Sequence, residues 1–318
     1  MSDQIHLRPF RPDDALPLAR IYQNAVLTAG PAHYTPQQVE TWASYPQDPG
    51  EFQHRLMHGT TLIAEHDSQP VAFGQLDPAD HIAFLYCRGS HMRRGIATSI
   101  HQALEAHARQ SHQVCLDTTA SRISRPVFQS LGMQVVEREH PIRNGIPFER
   151  FRMAKLLFEP AATRWAILGN SASGKSTLAR KIAELTGAAI LDLDTIAWDP
   201  AAPQPTRRET AACLADIERF VAQHPAWIIE GCYEDLIAQT LQWEPAMVFL
   251  DPDAETCLTR ARQREFEPHK FATPEKQNEA LPFLLQWIEQ YPTRPGPMSR
   301  SAHLHTFHSY PGKKIRAR

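Results

Sequence analysis

At 318 residues the chain has room for about two domains, each long enough to bury a core of its own. Its 42% hydrophobic and 21% charged residues are those of ordinary globular protein, which excludes a disordered or fibrous chain. A formal net charge of −2 excludes any role that rests on bulk attraction to a polyanion. The five cysteines, Cys87, Cys115, Cys213, Cys232 and Cys257, are scattered, odd in number and form no CxxC pair. That argues against a disulfide framework and a zinc site and fits a reducing compartment. Met1 to Phe10 carries polar residues where a signal peptide is apolar. No apolar run reaches the length of a membrane span, so a cytoplasmic chain is expected.

In chain order, Asp13-Asp14 precedes a helix with Leu18, Ile21 and Val26 on one face. Strands are expected at Thr61 to Glu65, Val71 to Leu76 and His81 to Tyr86. A helix follows from Gly95, with Ile96, Ile100 and Leu104 aligned. Then come a strand from Val114 to Asp117, a helix from Arg125 to Ser130, and strands at Met133 to Arg138 and Phe151 to Leu157. A proline-containing connector, Phe158 to Thr163, separates this block from the next. Two domains are therefore expected, 1–158 and 163–318. The second block alternates short apolar runs with helical stretches. Its strands are expected at Trp165 to Leu168, Ala189 to Leu193, Trp227 to Ile229, Met247 to Leu250 and Lys314 to Ala317. Continuous apolar strands between helices predict a parallel sheet covered on both faces. A helix carrying Leu178, Ile182 and Leu185 ends at Gly187, a residue suited to a C-cap. The basic residues Lys313, Lys314, Arg316 and Arg318 make too short a run to signal more than a solvated tail.

The segment Gly169-Asn170-Ser171-Ala172-Ser173-Gly174-Lys175-Ser176-Thr177 fits G-x-x-x-x-G-K-[ST] between a strand and a helix, the context a P-loop requires. Its glycines let the backbone curl so that successive N–H groups face phosphate oxygens, and the helix N-terminus adds its positive end. Lys175 then reaches the β- and γ-phosphates of ATP, and the Ser176 hydroxyl ligates Mg²⁺. Asp192 and Asp194 end the second strand of this block, Glu230-Gly231 the third and Asp251 the fourth. Parallel strands present these ends to a ligand crevice. The two aspartates can divide the work, one near the metal, where Asp192 is a candidate, and one accepting the substrate's proton, with Glu230 and Gly231 facing the substrate. The competing reading makes the aspartates helix caps. Arg260, Arg262 and Arg264 alternate, so they cannot share one helix face. A lid loop must begin nearby if several of them meet phosphates.

With these residues in place, the second block resembles the P-loop small-molecule kinases of the adenylate kinase and shikimate kinase type, and the topology-modulation proteins among them. The likeness rests on Gly169 to Thr177, Asp192-Leu193-Asp194, Trp227-Ile228-Ile229-Glu230-Gly231 and Glu267-Pro268-His269-Lys270-Phe271. It implies a doubly wound parallel-sheet kinase domain in which Asp194 contacts the acceptor hydroxyl. It also implies lid arginines that clamp the transferred phosphoryl group.

In the first block, Met92-Arg93-Arg94-Gly95-Ile96-Ala97-Thr98 lies between a strand and an amphipathic helix. Small residues at 95 and 97 let backbone N–H groups approach a pyrophosphate while Arg93 and Arg94 add charge. Together with Ile5 to Asp14, His33 to Trp42, Leu85-Tyr86 and Ala120 to Gly132, this turn makes the block similar to the GNAT N-acetyltransferases over its full length. The resemblance implies a mixed-sheet α/β domain. Acetyl-CoA would be held by the amides of residues 93–98, with the acetyl carbonyl at the splay beside Leu85-Tyr86. Tyr34 and Trp42 are candidates for the acceptor pocket; the alternative is that they are packing aromatics. Three departures stand out. Met92 occupies the first position of the [QR]-x-x-G-x-[GA] pattern. Phe128 stands where many members carry a tyrosine as general acid. Ala83 and Phe84 stand where a carboxylate often precedes the Leu-Tyr pair. Asp80, His81 and Asp117 are fallback bases.

The reading is an α/β chain of two enzymes, an acetyltransferase followed by an ATP-dependent small-molecule kinase. The alternative is an ATP- and CoA-binding regulatory protein. Partners are expected to be small-molecule substrates, with no nucleic acid because a basic stripe is missing, and with no membrane. Self-association into a homo-oligomer stays open.

Overall fold

The computed structural model describes residues 5–46, 48–159, 163–199, 206–267 and 273–317. The chain divides into two compact units, Met1–Leu157 and Phe158–Arg318.

The N-terminal unit runs β1 (His6–Pro9), α1 (Ala15–Ala29), α2 (Pro36–Ala43), α3 (Pro49–Met57), β2 (Thr60–His66), β3 (Gln69–Leu76), β4 (His81–Cys87), α4 (Ile96–Gln110), β5 (Cys115–Ser121), α5 (Arg125–Ser130) and β6 (Gln134–Glu139). The two short strands β7 (Ile142–Arg143) and β8 (Ile146–Pro147) form a hairpin, and β9 (Arg150–Leu156) closes the unit. Among the described residues seven strands form one sheet in the order β1-β2-β3-β4-β5-β9-β6. Its neighbours are antiparallel except β4 and β5. Because successive strand residues point to opposite faces, β4 divides its side chains. Phe84 and Tyr86 join the core under α1, α2 and α3 with Leu18, Tyr22, Phe52 and Phe73. Leu85 and Cys87 join the core under α4 with Ile96, Ile100 and Leu104, and the register shift between Phe84 and Ile82 brings Ile82 to the same core. Helix caps fix where the covering helices begin: Thr35 accepts from Gln38 N at 3.2 Å for α2, and Asp48 from Gly50 N at 2.6 Å for α3.

In the C-terminal unit the elements are β10 (Arg164–Gly169), α6 (Lys175–Thr186), β11 (Ala189–Asp192), α7 (Thr210–Gln223), β12 (Trp227–Gly231), α8 (Glu234–Thr240), β13 (Ala246–Leu250), α9 (Ala254–Arg262), α10 (Pro274–Glu289), α11 (Arg300–Ser309) and β14 (Lys314–Ala317). Its described strands order as β11-β12-β10-β13-β14 and every neighbouring pair is parallel. Strands β12 and β13 are fully buried, as is β10 from Trp165 onward, which is why they read as continuous apolar runs without alternation. Strand β10 is central, with β12 on one side and β13 on the other. The loop after β10 therefore opens at the carboxyl edge between the ends of Gly231 and Leu250.

Candidate functional sites

At the end of β10 the chain turns through Asn170, Ser171, Ala172 and Ser173 into α6. Ala172 at φ 57° and Gly174 at φ 102° take left-handed conformations, the second open essentially to glycine alone. The N–H groups of Lys175, Ser176 and Thr177 belong to the first turn of α6, whose donors have no intrahelical acceptor. Lys175 Nζ donates to the carbonyl of Asn170 at 2.8 Å and so arches over the loop. Asn170 is buried; its side chain donates to Ile288 O and accepts from Ser171 N and from Arg294.

Three carboxylates meet this loop. Glu230 pairs in register with Ile167, is 2% exposed and accepts a hydrogen bond from Ser176. Burial pushes its carboxyl above the ordinary range. Asp192 and Asp194 push the same way, against the ammonium of Lys175. Asp192 accepts from Asp194 N at 2.9 Å and caps a short 3-10 turn. Asp194 accepts from Tyr233 Oη at 2.7 Å, and that hydroxyl accepts from Trp198 Nε1 at 2.7 Å, so the Asp194 carboxylate is held by a two-step relay. Gly231 ends β12, where a Cβ would meet the Leu193 side chain at 2.9 Å.

The three alternating arginines separate as the helical period requires. Arg260 Nη1 donates to Ser173 O at 2.9 Å, placing its guanidinium against the loop. Arg262 projects to solvent near Glu255 at 3.8 Å. Arg264, past the end of α9, pairs with Glu267 at 2.9 Å. The structure thus brings Lys175, Ser176, Asp192, Asp194, Glu230 and Arg260 together, and neither Arg262 nor Arg264 joins them. Pro268, His269, Lys270 and Phe271 lie outside the described residues.

A cavity of about 530 Å³ adjoins the loop, lined by Asn170, Asp251, Thr256, Arg260, Tyr291, Arg300 and Arg316 among others. Burial raises the Asp251 carboxyl, but the guanidinium groups of Arg300 and Arg316 outweigh it and hold the carboxyl below its usual range. Sequence reasoning missed Arg294. Its guanidinium lies 3.6 Å from the Trp287 ring centroid, donates to Asn170 Oδ1 at 3.2 Å, and keeps Nε and Nη1 buried without a hydrogen-bond partner among the described residues. The signal was present in Trp287-x-x-x-Tyr291-x-x-Arg294, two aromatics at helical spacing and an arginine one turn on.

In the N-terminal unit, β4 and β5 pair only at His81–Asp117 and Ile82–Thr118 among the described residues. Leu85 and Tyr86 lie beyond these pairs, where the strands part. Arg93 at φ 59° and Gly95 at φ 79° form the turn into α4. A Cβ at Gly95 would meet nothing within 4 Å, so the turn is open to approach. Ile96, Ala97 and Thr98 present the unpaired N–H groups of the first helical turn, and Arg93 and Arg94 are exposed beside them. Tyr86 packs at a tilt against Tyr22, with ring centroids 4.3 Å apart, and the hydroxyls of both bond to each other and to Trp42. Tyr34 is buried edge-on to Trp42 at 5.4 Å, with its hydroxyl accepting from Arg122 N at 2.9 Å. Tyr34 thus packs and ties a loop, while Trp42 reaches the tyrosine pair. His81 is hydrogen-bonded to Asp117, and Asp80 accepts from Asp117 N; these fallback bases stand where the strands are joined, away from the opening. Phe128 is buried against His101, with ring centroids 6.0 Å apart.

This mixed sheet, parting between its two parallel strands beside an exposed helix start, is an α/β architecture of the kind that acyltransferases use. The sequence comparisons assign it more narrowly. Residues 31–156 match the acetyltransferase (GNAT) domain family. The chain is 31% identical to a GCN5-related N-acetyltransferase from Rhodopseudomonas palustris, over 49% of this chain and 99% of that one, with a TM-score of 0.48. It is 28% identical over 152 residues to the uncharacterized N-acetyltransferase YafP of Escherichia coli, covering 48% of this chain and 95% of the relative. A Salmonella typhimurium acetyltransferase, yncA, solved with acetyl-CoA, is 15% identical over 50% of this chain and 97% of its own, at a TM-score of 0.37. Through its N-terminal unit the chain belongs to the GNAT acetyltransferase family.

Proposed function

We propose that the chain is a bifunctional enzyme that joins acetyl-CoA-dependent N-acetyl transfer to ATP-dependent phosphorylation of a small molecule. The observation that carries the second activity is the convergence of Lys175, Ser176, Asp192, Asp194, Glu230 and Arg260 on one loop at the end of a central parallel strand. A Gly-rich turn alone serves many purposes. A turn with a lysine arched over it, an arginine against it and a buried carboxylate on its serine suits a triphosphate and a metal.

Ser176 and Glu230 form a hard-oxygen donor pair, which fits Mg²⁺. The ion would supply charge neutralisation at the phosphates. Lys175 and the amides of α6 bind the phosphates, and the cavity beside Asn170 and Tyr291 takes the rest of the nucleotide. Asp194, oriented by Tyr233, accepts the proton of the acceptor hydroxyl as its oxygen bonds to the γ-phosphorus and ADP leaves. Arg260 and Arg294 meet the charge that spreads over the transferred group. In the N-terminal unit the amides of residues 93–98 hold the CoA pyrophosphate. The parted β4 edge at Leu85 and Tyr86 aligns the thioester, and Tyr22, Trp42 and Tyr86 wall the acceptor.

A screen of metabolites with ATP and with acetyl-CoA, read by mass spectrometry for the gain of a phosphate or an acetyl group, tests both halves. The alternative is a CoA- and ATP-binding regulator with weak acetyl transfer. It is favoured by Phe128, which offers no proton to a departing thiolate. It predicts binding of both nucleotides by calorimetry with no product from the same panel.

A further inference from the structure

The C-terminal turn of α3 carries a feature that neither transferase reading uses. His54 and His58 face each other through their ring nitrogens, with Nε2 to Nε2 at 3.3 Å and ring centroids 4.5 Å apart. Both side chains are exposed. Their placement follows from the helical period. Phe52 and Leu56 are the buried residues of α3, and His54 and His58 each follow one of them by two positions, so both point outward on one face.

The backbone beneath the pair is held firmly. Gln75, fully buried, donates its side-chain amide to Arg55 O and to His58 O, each at 2.8 Å. Asp48 caps the other end of the helix. Arg55, between the histidines in sequence, lays its guanidinium 4.9 Å from the centroid of the Phe84 ring. Both imidazoles therefore start from a fixed scaffold, which lowers the ordering cost of a shared ligand.

Two imidazoles that meet through Nε2 either share a proton or share a cation. At 3.3 Å the contact is a long hydrogen bond whose donor and acceptor depend on the tautomers, and the same spacing suits a shared cation. Zinc–nitrogen bonds of about 2.0–2.1 Å at a tetrahedral angle put two nitrogens about 3.3–3.4 Å apart. A square-planar ion with similar bonds would need about 2.8 Å. We propose that His54 and His58 form a two-histidine zinc site that ties the last turn of α3 to its C-cap. Among the described residues no third histidine, cysteine or carboxylate completes a metal cluster. Water fills the remaining positions, and the ion exchanges readily.

The test is calorimetric titration of the untagged full chain with Zn²⁺, beside His54→Ala, His58→Ala and the double variant. Wild type shows a binding event whose affinity falls about tenfold or more in either single variant. The double variant falls little further, because one missing ligand already opens the chelate. A His66→Ala control titrates like wild type. Both positions are exposed, so the variants should fold, and matching circular dichroism spectra check this. Isotherms that overlay for wild type and both single variants overturn the site. So does an anomalous zinc peak in soaked crystals that lies elsewhere than between the two Nε2 atoms.

Discussion

Glu230 accepts a hydrogen bond from Ser176 while almost wholly buried, so a carboxylate and a hydroxyl share one point where α6 begins. Burial, with Asp192 and Asp194 nearby, raises its carboxyl above the ordinary 4.5. The ionised form that would hold a cation is therefore lost on mild acidification, earlier than for an exposed glutamate. Phosphoryl transfer is expected to show an acid limb above pH 4.5, falling as pH falls. Glu230→Gln should remove that limb and lower kcat roughly 10- to 100-fold. A pH–rate profile of the two proteins decides it; an unchanged limb in the variant would assign the titration to another group.

Lys175→Ala should abolish phosphoryl transfer and leave acetyl-CoA affinity at its wild-type value. The lysine's one described hydrogen bond is to the Asn170 carbonyl within the loop, and the CoA turn at residues 93–98 belongs to the other unit. Titration with acetyl-CoA, run beside a kinase assay, separates the two effects. Loss of acetyl-CoA binding in this variant would mean that the sites act as one.

Among the alternating arginines the structure makes a sharp distinction. Arg260→Ala removes the guanidinium that rests on Ser173 O, and phosphoryl transfer should fall by roughly 10³-fold. Arg262→Ala removes an exposed side chain whose glutamate partner is itself 79% exposed, and the rate should stay within about twofold. Equal losses in the two variants would point to a lid that rearranges to use both.

Much of this was legible in the residues. The apolar runs at Trp165, Trp227 and Met247 marked buried parallel strands, since β10, β12 and β13 have no polar face to show. Arg125 to Ser130 and Lys314 to Ala317 match α5 and β14 at their ends. The glycines marked the turn after β10 because Gly174 must take φ 102° before α6 begins. What the sequence hid is what depends on distant partners. Arg294 meets Asn170 from 124 positions away, and no local pattern announces such a contact. Strand β1 was missed because four residues of mixed polarity become a strand only by pairing with β2. The Tyr34 hydroxyl could have faced an acceptor; the amide of Arg122, 88 positions on, occupies it.

Gly74 in β3 tests how closely α4 must lie on the sheet. A Cβ there would sit 2.6 Å from Ile100 Cγ2, 3.0 Å from Leu104 Cδ1 and 3.2 Å from Phe84 O. Gly74→Ala should destabilise the N-terminal unit by about 1–3 kcal/mol as α4 is pushed outward. Its first turn carries the amides of residues 96–98, so the KM for acetyl-CoA should rise as well. Gly95→Ala meets no atom within 4 Å but must hold φ 79°, at about 1–2 kcal/mol. Denaturant melts of the two variants measure both costs; a neutral Gly74→Ala would mean that α4 can shift freely.

The last prediction concerns two histidines buried as neutral rings. Burial lowers His101 from 6.5 to about 4, with Lys155 acting the same way and Glu105 opposing it. Burial likewise lowers His303 to about 4. His303 donates from Nε2 to Cys232 O and accepts from Tyr291 Oη at Nδ1, which uses both nitrogens of the neutral form. His101 has no hydrogen-bond partner on either nitrogen. Each folded pKa lies below the unfolded one, so between pH 6.5 and 4 the unfolded chain takes up protons that the folded chain refuses. Stability is therefore fully present above about pH 6.5 and drains as pH falls toward 4. At about 1.4 kcal/mol per unit this amounts to about 2–3 kcal/mol for each ring by pH 4.5. His101→Leu removes one titration without removing a hydrogen bond. It should fold as well as wild type at pH 7.5 and be the more stable protein at pH 4.5. Thermal melts across this range measure the slope, and a variant curve parallel to wild type would place the acid sensitivity elsewhere than at His101.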